Sequence, residues 1–145
     1  MYKHILIPTD GSELSAIAVR QGVELARSIG ARVTILTAYP PFRTFTADPV
    51  MATATPDIYR RECVAEAERY LSAAAAAAKT AGVPCDTVQV ERDHPYEAII
   101  DAAAERKCDL IFMASHGRKG MSALLLGSET TKVLTHSKIP VLVCR

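Results

Sequence analysis

The chain has 145 residues, and its 17 Lys and Arg against 16 Asp and Glu give a formal net charge of +1. A chain of this length fits one ordinary domain, here residues 1–145, whose core needs no disulfide or metal to be stable. A nearly neutral charge lacks the basic excess that binds phosphate backbones, so we expect neither nucleic acid nor an anionic membrane as a partner.

The cysteines and the apolar runs indicate a cytoplasmic protein. Cys63, Cys85, Cys108 and Cys144 are scattered without a C-x-x-C pair, which is typical of buried thiols in a reducing compartment and not of a disulfide or zinc framework. The apolar run 5–7 near the start is shorter than the roughly 7–15 residues of a secretory signal. No run approaches the roughly 18 residues of a membrane-spanning helix.

Short β-branched runs alternate with longer alanine- and leucine-rich stretches, which predicts βαβ units around a parallel sheet. The predicted strands are 4–8, 32–38, 86–91, 109–114 and 140–144. The predicted helices are 12–29, 57–81, 95–107 and 128–137, with Gly30 and Gly82 as stops and Pro95 as a start. Several strands are almost continuously apolar, so both faces of the sheet should be covered, as in a doubly wound α/β fold. Residues 39–56 form the one long irregular stretch, and loops of that length are usually functional or mobile.

Two unusual stretches follow predicted strands, at the end of an open parallel sheet where ligands bind. The first strand leads into Asp10 and Gly11, a carboxylate and a flexible glycine before a helix start. The fourth strand leads into Gly117, and Gly127-Ser128 opens the last helix. A helix amino terminus offers unpaired N–H groups, and glycines let an anion reach the backbone, so these stretches describe a phosphate cradle.

These residue types leave a simpler alternative open. The glycines of the cradle can merely turn the chain, and Ser128 can be only a helix N-cap. The spacing matches neither a Walker A loop nor a G-x-G-x-x-G fingerprint.

The chain resembles the universal stress protein family over essentially its whole length. The residues that carry the resemblance are 3–12 (KHILIPTDGS), 113–117 (MASHG), 126–128 (LGS) and 140–143 (PVLV). The ATP-binding branch of that family carries Gly-x-x-Gly, nine residues, then Gly-Ser/Thr. Gly117, the nine residues from Arg118 to Leu126, and Gly127-Ser128 match this motif.

Two departures from the family's pattern affect the predicted site. Ala114 stands where the motif has its first glycine; its methyl group is expected to narrow the ribose edge without closing the phosphate site. Arg92-Asp93-His94-Pro95 follows the third strand where similar members often have a glycine before the proline, and this stretch is expected to crowd the phosphate end.

The resemblance implies a sheet of order 3-2-1-4-5, with the nucleotide in the crevice between strands one and four. By this resemblance Asp10 accepts hydrogen bonds from ribose hydroxyls or holds Mg²⁺, and Pro8 and Thr9 flank the sugar. The alternative for Asp10 is the N-cap of the first helix. The backbone of Ala38 would hold the adenine edge.

The same resemblance assigns the phosphate end of the site. Backbone N–H groups for the phosphates would come from four residues, Gly117, Gly127, Ser128 and Glu129, and the lining is completed by Ala114, Ser115 and His116. Arg118 and Lys119 would neutralise phosphate charge, unless they form an ordinary solvated basic pair. His116 has no serine, cysteine or carboxylate at a motif spacing that would make it a general base, so we interpret it as a positioned loop residue.

The resemblance implies a dimeric stress-response module that binds ATP, or AMP or ADP, with Mg²⁺ and is not an enzyme. One alternative is a slow ATP hydrolase, and another is a structural dimer whose nucleotide site is lost at Ala114. In the family's order the last strand, which Pro140 opens and Cys144 closes, lies at the sheet edge. An apolar edge strand needs a cover, and the same strand of a second copy would supply it. Folding of residues 39–56 over this edge is the alternative.

Overall fold

The computed structural model describes residues 1–43, 49, 53–118 and 125–145. Its five parallel strands are β1 (His4–Pro8), β2 (Arg32–Tyr39), β3 (Cys85–Glu91), β4 (Leu110–Ala114) and β5 (Val141–Cys144). The four helices with described bounds are α1 (Glu13–Ile29), α2 (Pro56–Thr80), α3 (Pro95–Glu105) and α4 (Ser128–His136). The strands form one sheet in the order β3-β2-β1-β4-β5, which confirms the predicted topology.

The ends of α1 show how local chemistry sets its bounds. The Ser12 side chain accepts a hydrogen bond from the backbone N–H of Ser15, so Ser12 is the N-cap. The predicted start at residue 12 is therefore one residue early, and the alternative that Asp10 caps this helix is wrong. Gly30 ends the helix in the left-handed region at φ 70°, as predicted.

The other helix bounds differ slightly from the sequence predictions. Pro56 already lies in α2, and α3 ends at Glu105 because Lys107 turns into the left-handed region at φ 55°. Ser128 is the first helical residue of α4 and Gly127 occupies the cap position, so the alternative that Ser128 is the N-cap is wrong. Pro140 lies just outside β5, although its carbonyl still accepts the N–H of Ile111.

Side chains of successive strand residues pack on opposite faces of the sheet, as the pleat requires. The face covered by α1 and α2 contains Ile5, Ile7, Val33, Ile35 and Phe112. The face covered by α3 and α4 contains Leu6, Leu36, Ile99, Ile111, Met113 and Val133. The sheet is buried on both sides, which the continuous apolar strands predicted.

The irregular stretch 39–56 lies partly outside the described residues. In its described part, the carbonyl of Pro40 accepts the Tyr59 hydroxyl at 2.9 Å, and Phe42 packs edge-on against the Tyr59 ring. Arg43 pairs with Asp93, just after β3. These contacts lie beside α2 and β3, at the opposite edge of the sheet from β5, so the described residues do not support a cover over β5. Within the described ranges, no helix is long and apolar enough to cross a membrane.

Candidate functional site

The winding of the sheet reverses between β1 and β4, which are hydrogen-bonded neighbours. The residues after these two strands meet at their carboxyl ends. A Cβ added to Gly117 would lie 2.2 Å from Oδ2 of Asp10, so only glycine permits this approach. The backbone N–H of Arg118 donates to the same oxygen at 2.8 Å. The two stretches singled out in the sequence therefore face each other across one crevice.

Asp10 presents a charged carboxylate in this crevice. Its Oδ1 accepts the backbone N–H of Ser12 at 3.0 Å, and its Oδ2 accepts that of Arg118. Burial raises the pKa of Asp10, but the hydrogen bonds from Ser12 and Arg118 outweigh burial and hold the pKa below its usual value. The group is therefore an anionic hydrogen-bond acceptor at neutral pH.

The neighbours of Asp10 fix the turn that carries it. Thr9 is buried; its N–H donates to the carbonyl of Leu36, and its hydroxyl lies 3.1 Å from that of Ser15. The carbonyl of Thr9 accepts the Thr37 hydroxyl at 3.0 Å. Pro8 is half-buried as the last residue of β1. The N–H, hydroxyl and carbonyl of Thr9 all form hydrogen bonds within the protein, so we interpret Thr9 as a residue that positions Asp10.

Ala38 was expected to end the second strand, but β2 continues to Tyr39. Ala38 pairs with Val90 of β3 and packs against the core on the α3 and α4 side. It lies on the strand next to β1, and its role at the adenine edge stays a prediction.

The side chain of Ala114 is almost completely buried. It is 7% exposed, and its methyl group packs with the core under α1 and α2, on the same face as Leu110 and Phe112. The expected narrowing of the ribose edge by this methyl group stays a prediction. The carbonyl of Ala114 accepts the Thr130 hydroxyl at 3.0 Å and ties β4 to α4.

His116 does have a serine neighbour. The Ser115 hydroxyl lies 3.2 Å from Nδ1 of His116, a contact that motif spacing did not predict because the two residues are adjacent. Ser115 is only 3% exposed, and its N–H donates to the carbonyl of Cys144. Because Ser115 is buried and contacts the imidazole, we interpret it as the residue that orients His116.

Gly127 serves a different purpose from the predicted one. Its N–H already donates to the carbonyl of Ser115 at 2.8 Å, so the expectation that this N–H binds phosphate is wrong. A Cβ at Gly127 would lie 3.0 Å from Cα and Cβ of His116. The glycine lets the start of α4 pack directly against the end of β4.

The amino terminus of α4 differs from those of the other three helices with described bounds. Ser12 caps α1, Thr55 caps α2, and the carboxylate of Glu129 accepts the N–H of Tyr96 in the first turn of α3. The cap residue of α4 is Gly127, which has no side chain that could accept a hydrogen bond from the helix N–H groups. Within the described part of the chain, the N–H groups of Ser128 and Glu129 have no acceptor. Unpaired N–H groups at a helix amino terminus favour the approach of an anion.

The Arg118 side chain turns away from α4 and onto α2. Its guanidinium lies 5.1 Å from the centroid of the Tyr70 ring, contacts the Tyr70 hydroxyl, and lies 3.7 Å from a carboxylate oxygen of Glu66. It is therefore not the freely solvated group of the alternative interpretation, and Lys119 lies outside the described residues. Sequence reasoning missed Tyr70 and Glu66, because nothing in a surface helix pattern marks a partner 48 residues away.

The other charged side chains that the structure describes do not form a second binding site. Arg92 pairs with Glu97 and Asp101 of α3 at 3.4 and 2.7 Å, so its side chain is directed along that helix. Among the residues that the structure describes, no three His, Cys, Asp or Glu side chains form a group that would hold a metal ion. Asp10 is the carboxylate at the crevice.

Known proteins are similar to this chain over its whole length. The model of the universal stress protein family matches residues 1–145. A universal stress protein of Thermus aquaticus is 33% identical over 145 residues, with 100% of both chains covered. The structure of MJ0577, from Methanocaldococcus jannaschii, has a TM-score of 0.82 and 27% identity, covering 99% of this chain and 95% of that one. A universal stress protein in complex with cAMP has a TM-score of 0.74 and 27% identity, covering 99% and 97%.

Proposed function

The chain belongs to the universal stress protein family, and we propose that it binds an adenine nucleotide, ATP with Mg²⁺ or AMP or ADP, in the crevice between β1 and β4. The observation that carries this proposal is the uncapped start of α4. Its two amides, which have no acceptor among the described residues, lie beside His116 through Gly127, and His116 is followed by Gly117, which touches Asp10. Donors for phosphate and an acceptor for hydroxyls thus line one continuous surface.

Each part of the nucleotide has a matching group. The amides of Ser128 and Glu129, with the exposed Ser128 hydroxyl, bind phosphate oxygens, since a helix amino terminus favours negative charge. The Asp10 carboxylate accepts ribose hydroxyls. The backbone of Ala38 lies on the adenine side. That a relative 27% identical to this chain is described in complex with cAMP supports the adenine nucleotide class.

Magnesium enters this site as part of the nucleotide. Mg²⁺ keeps several waters and is usually bound by one or two carboxylates together with substrate phosphates. Asp10 would fill this role as the alternative to accepting ribose hydroxyls, because its pKa is held low and it stays ionised at neutral pH. The ion would shield the phosphate charges and supply no further chemistry that the proposal needs.

The proposal assigns binding without turnover. Phosphoryl transfer needs a positioned nucleophile or water as well as charge neutralisation. The contact between Ser115 and His116 favours slow hydrolysis as the second candidate, yet the buried serine orients the imidazole. Rapid multiple-turnover phosphate release that is eliminated in His116→Ala would establish the hydrolase instead.

Two substitutions at one position, Ser128, test the nucleotide site. Ser128 is the first helical residue, where proline is favoured because this N–H has no partner in the helix. Gly127 has φ −63° and ψ 155°, which suits a residue before proline. Ser128→Pro thus deletes one phosphate donor and leaves the helix intact, whereas Ser128→Ala deletes only the hydroxyl.

We expect Ser128→Pro to weaken ATP binding about tenfold or more, as loss of a hydrogen bond to a charged group does, while Ser128→Ala changes it a few-fold. Equilibrium dialysis with Mg²⁺ measures both, and thermal unfolding checks that the variants are folded. Unchanged ATP binding by a folded Ser128→Pro variant would remove α4 from the site.

We also propose that the protein forms a dimer through β5. This strand lies at the sheet edge and contains no charge, whereas the other edge strand, β3, carries Asp86 and Glu91. Leu142 of β5 is 39% exposed and Leu134 of α4 is 42% exposed. An unprotected apolar edge beside exposed leucines favours antiparallel pairing with a second copy about a two-fold axis.

The register of β5 identifies the backbone groups that would pair. The carbonyls of Pro140 and Cys144 accept hydrogen bonds from β4. Backbone groups alternate in direction along a strand, so Val141 and Val143 direct theirs to the open edge. Val143→Pro should therefore give folded monomers in sedimentation, and Leu142→Pro should instead weaken β4–β5 pairing and lower the unfolding temperature. A monomeric wild type at micromolar concentration, or a Val143→Pro dimer, would refute the interface.

We further propose a cytoplasmic stress-response module of one domain whose nucleotide state alters the surface it presents to other proteins. All four cysteines are free, and burial raises the pKa of the Cys108 thiol to about 11. Burial also raises the pKa of the thiols of Cys63, Cys85 and Cys144. Unpaired thiols of this kind favour a reducing compartment and argue against a redox role.

A further inference from the structure

Arg118 connects the proposed nucleotide site with α2. Its backbone N–H binds the carboxylate of Asp10 inside the crevice. Its guanidinium instead lies over the ring of Tyr70 and beside Glu66, both on α2. One residue is therefore bound at two places, through its backbone in the site and through its charge outside it.

The α2 side of this contact is built rigidly. The Tyr70 hydroxyl donates to a carboxylate oxygen of Glu66 at 2.6 Å, which fixes the two groups relative to each other. The Tyr70 ring packs directly on the β1–α1 turn, since a Cβ at Gly11 would lie 2.3 Å from the ring. Gly11 has φ 78°, so glycine meets both the steric and the backbone demand here. The turn that carries Asp10 and the partner of Arg118 thus form one unit.

We propose that Glu66 and Tyr70 set the affinity of the site for polyphosphate by holding Arg118, and that a bound triphosphate takes the guanidinium from them. This inference rests on the proposed nucleotide site. Arg118 lies next to Gly117, at the mouth of the crevice. Release of its side chain brings a cation to phosphates that the α4 amides already bind.

The strengths of the competing contacts favour this exchange. The side chains of Arg118 and Glu66 are 51% and 44% exposed, and ion pairs this accessible to water are weak. A guanidinium binds phosphate bidentately through charge-assisted hydrogen bonds, which are stronger than neutral ones. The triphosphate of ATP carries more charge than the single phosphate of AMP, and adenosine carries none. The free energy needed to release Arg118 from Glu66 and Tyr70 is therefore offset when ATP binds, and it is not offset when adenosine binds.

The test compares the dissociation constants of ATP, AMP and adenosine for the full chain and four variants. Glu66→Gln and Tyr70→Phe weaken the hold on Arg118, and Arg118→Ala removes the cation. Glu68→Gln is the matched control, since it makes the same charge change at an exposed position of α2. We expect Glu66→Gln with Tyr70→Phe to tighten ATP binding about three- to tenfold, as the weakness of exposed pairs allows. Adenosine binding and the Glu68→Gln control should stay unchanged.

In the Arg118→Ala background the two α2 substitutions should have no effect on ATP, which separates release of Arg118 from a general change in charge. Tightening that persists without Arg118, or equal tightening by Glu68→Gln, would overturn the inference. Equal ATP affinities in the wild type and the variants would also overturn the inference. If adenosine still bound in that case, the proposed nucleotide site would be retained. If wild type and variants bind neither ATP nor adenosine, the proposed function fails and this inference fails with it.

Discussion

At each end of the β1–β4 strand pair, a carboxylate ties one strand to the other. At the amino ends, Asp109 precedes β4 and accepts the backbone N–H groups of Lys3 and His4 at 2.9–3.1 Å. At the carboxyl ends, Asp10 follows β1 and accepts the N–H of Arg118, which follows β4, at 2.8 Å. For both carboxyl groups burial raises the pKa, but hydrogen bonds outweigh burial and hold the pKa below its usual value: those from the Ser12 side chain and the backbone for Asp10, and those from the backbone for Asp109.

The surroundings of these two carboxylates differ. Near Asp109 the backbone leads directly into packed structure: His4 is 5% exposed and its Nε2 lies 2.7 Å from the Thr34 hydroxyl. Near Asp10 stand an exposed glycine, Gly117, and the uncapped start of α4. We therefore expect the tie to stabilise the sheet at one end and to border the proposed anion-binding surface at the other. Function is expected where the fold leaves donors unused.

The largest effect is expected at the glycine of the open end. In Gly117→Val, the new side chain needs the space of Asp10 Oδ2, so the carboxylate must leave its position and the tie to Arg118 breaks. Loss of two hydrogen bonds that involve charge should weaken ATP binding about 100-fold or more in equilibrium dialysis. Gly82→Asn is the control, because Gly82 has φ 71° and no atom within 4 Å of an added Cβ. ATP retention equal to wild type in Gly117→Val would disprove the close approach.

Parallel substitutions at the two carboxylates separate binding from stability. Asp10→Asn should weaken ATP binding about tenfold, and it should also lower the free energy of unfolding by about 1–2 kcal/mol, because the N–H groups of Ser12 and Arg118 lose a charged acceptor. Asp109→Asn should lower the free energy of unfolding by about 1–2 kcal/mol, because backbone N–H groups lose a charged acceptor, and should leave ATP binding unchanged. Urea unfolding and dialysis measure the pair. The reverse pattern, with Asp109→Asn losing ATP, would contradict the division between the two ends.

A smaller effect is expected at Ala114, whose methyl group packs in the core under α1. Ala114→Gly restores the family's motif, but it removes a buried methyl group and adds backbone freedom. The free energy of unfolding should fall by about 1 kcal/mol. The affinity for ATP should stay within about twofold, since the methyl group faces away from α4; a gain beyond fivefold would place it at the ribose after all.

The last effect appears only in mild acid, at the closed end. Burial and then the nearby charge of Arg32 lower the pKa of His4 from 6.5. The unfolded chain therefore binds a proton at a higher pH than the folded chain does. This group's contribution to stability is complete above pH 6.5 and falls as the pH drops toward the folded pKa. Urea unfolding between neutral pH and pH 5 should show this decline, and His4→Gln should reduce it; equal slopes in both proteins would rule out His4 as the cause.

The sequence predicted the fold well because its strongest signals are local. Apolar runs such as 5–7 mark strands that are covered on both faces, and Gly30 and Pro95 mark helix ends where the backbone demands them. The strand order came from the family resemblance, since local pattern contains no information about which strands are neighbours. Asp10 and Gly117 were singled out for the same reason, as residues that follow strands in a parallel sheet.

The remaining features of the site depend on tertiary contacts. The N–H of Gly127 is used by Ser115, the methyl group of Ala114 faces α1, and Arg118 is held by Tyr70. Each outcome depends on the face to which a strand turns its side chain, or on a partner far away in sequence. A motif specifies which residues lie near a ligand, but it does not specify which of their groups are free.

Amide chemical shifts during an ATP titration show which end of the β1–β4 pair binds the nucleotide. In a ¹⁵N-labelled protein with Mg²⁺, we expect the largest changes at the amides of Ser128, Glu129 and Arg118, at the open end. The amides of Lys3 and His4, which bind Asp109 at the closed end, should stay in place. Saturable changes centred on Lys3 and His4, or none at the start of α4 up to millimolar ATP, would contradict the proposal that the carboxyl end of the β1–β4 pair is a nucleotide site.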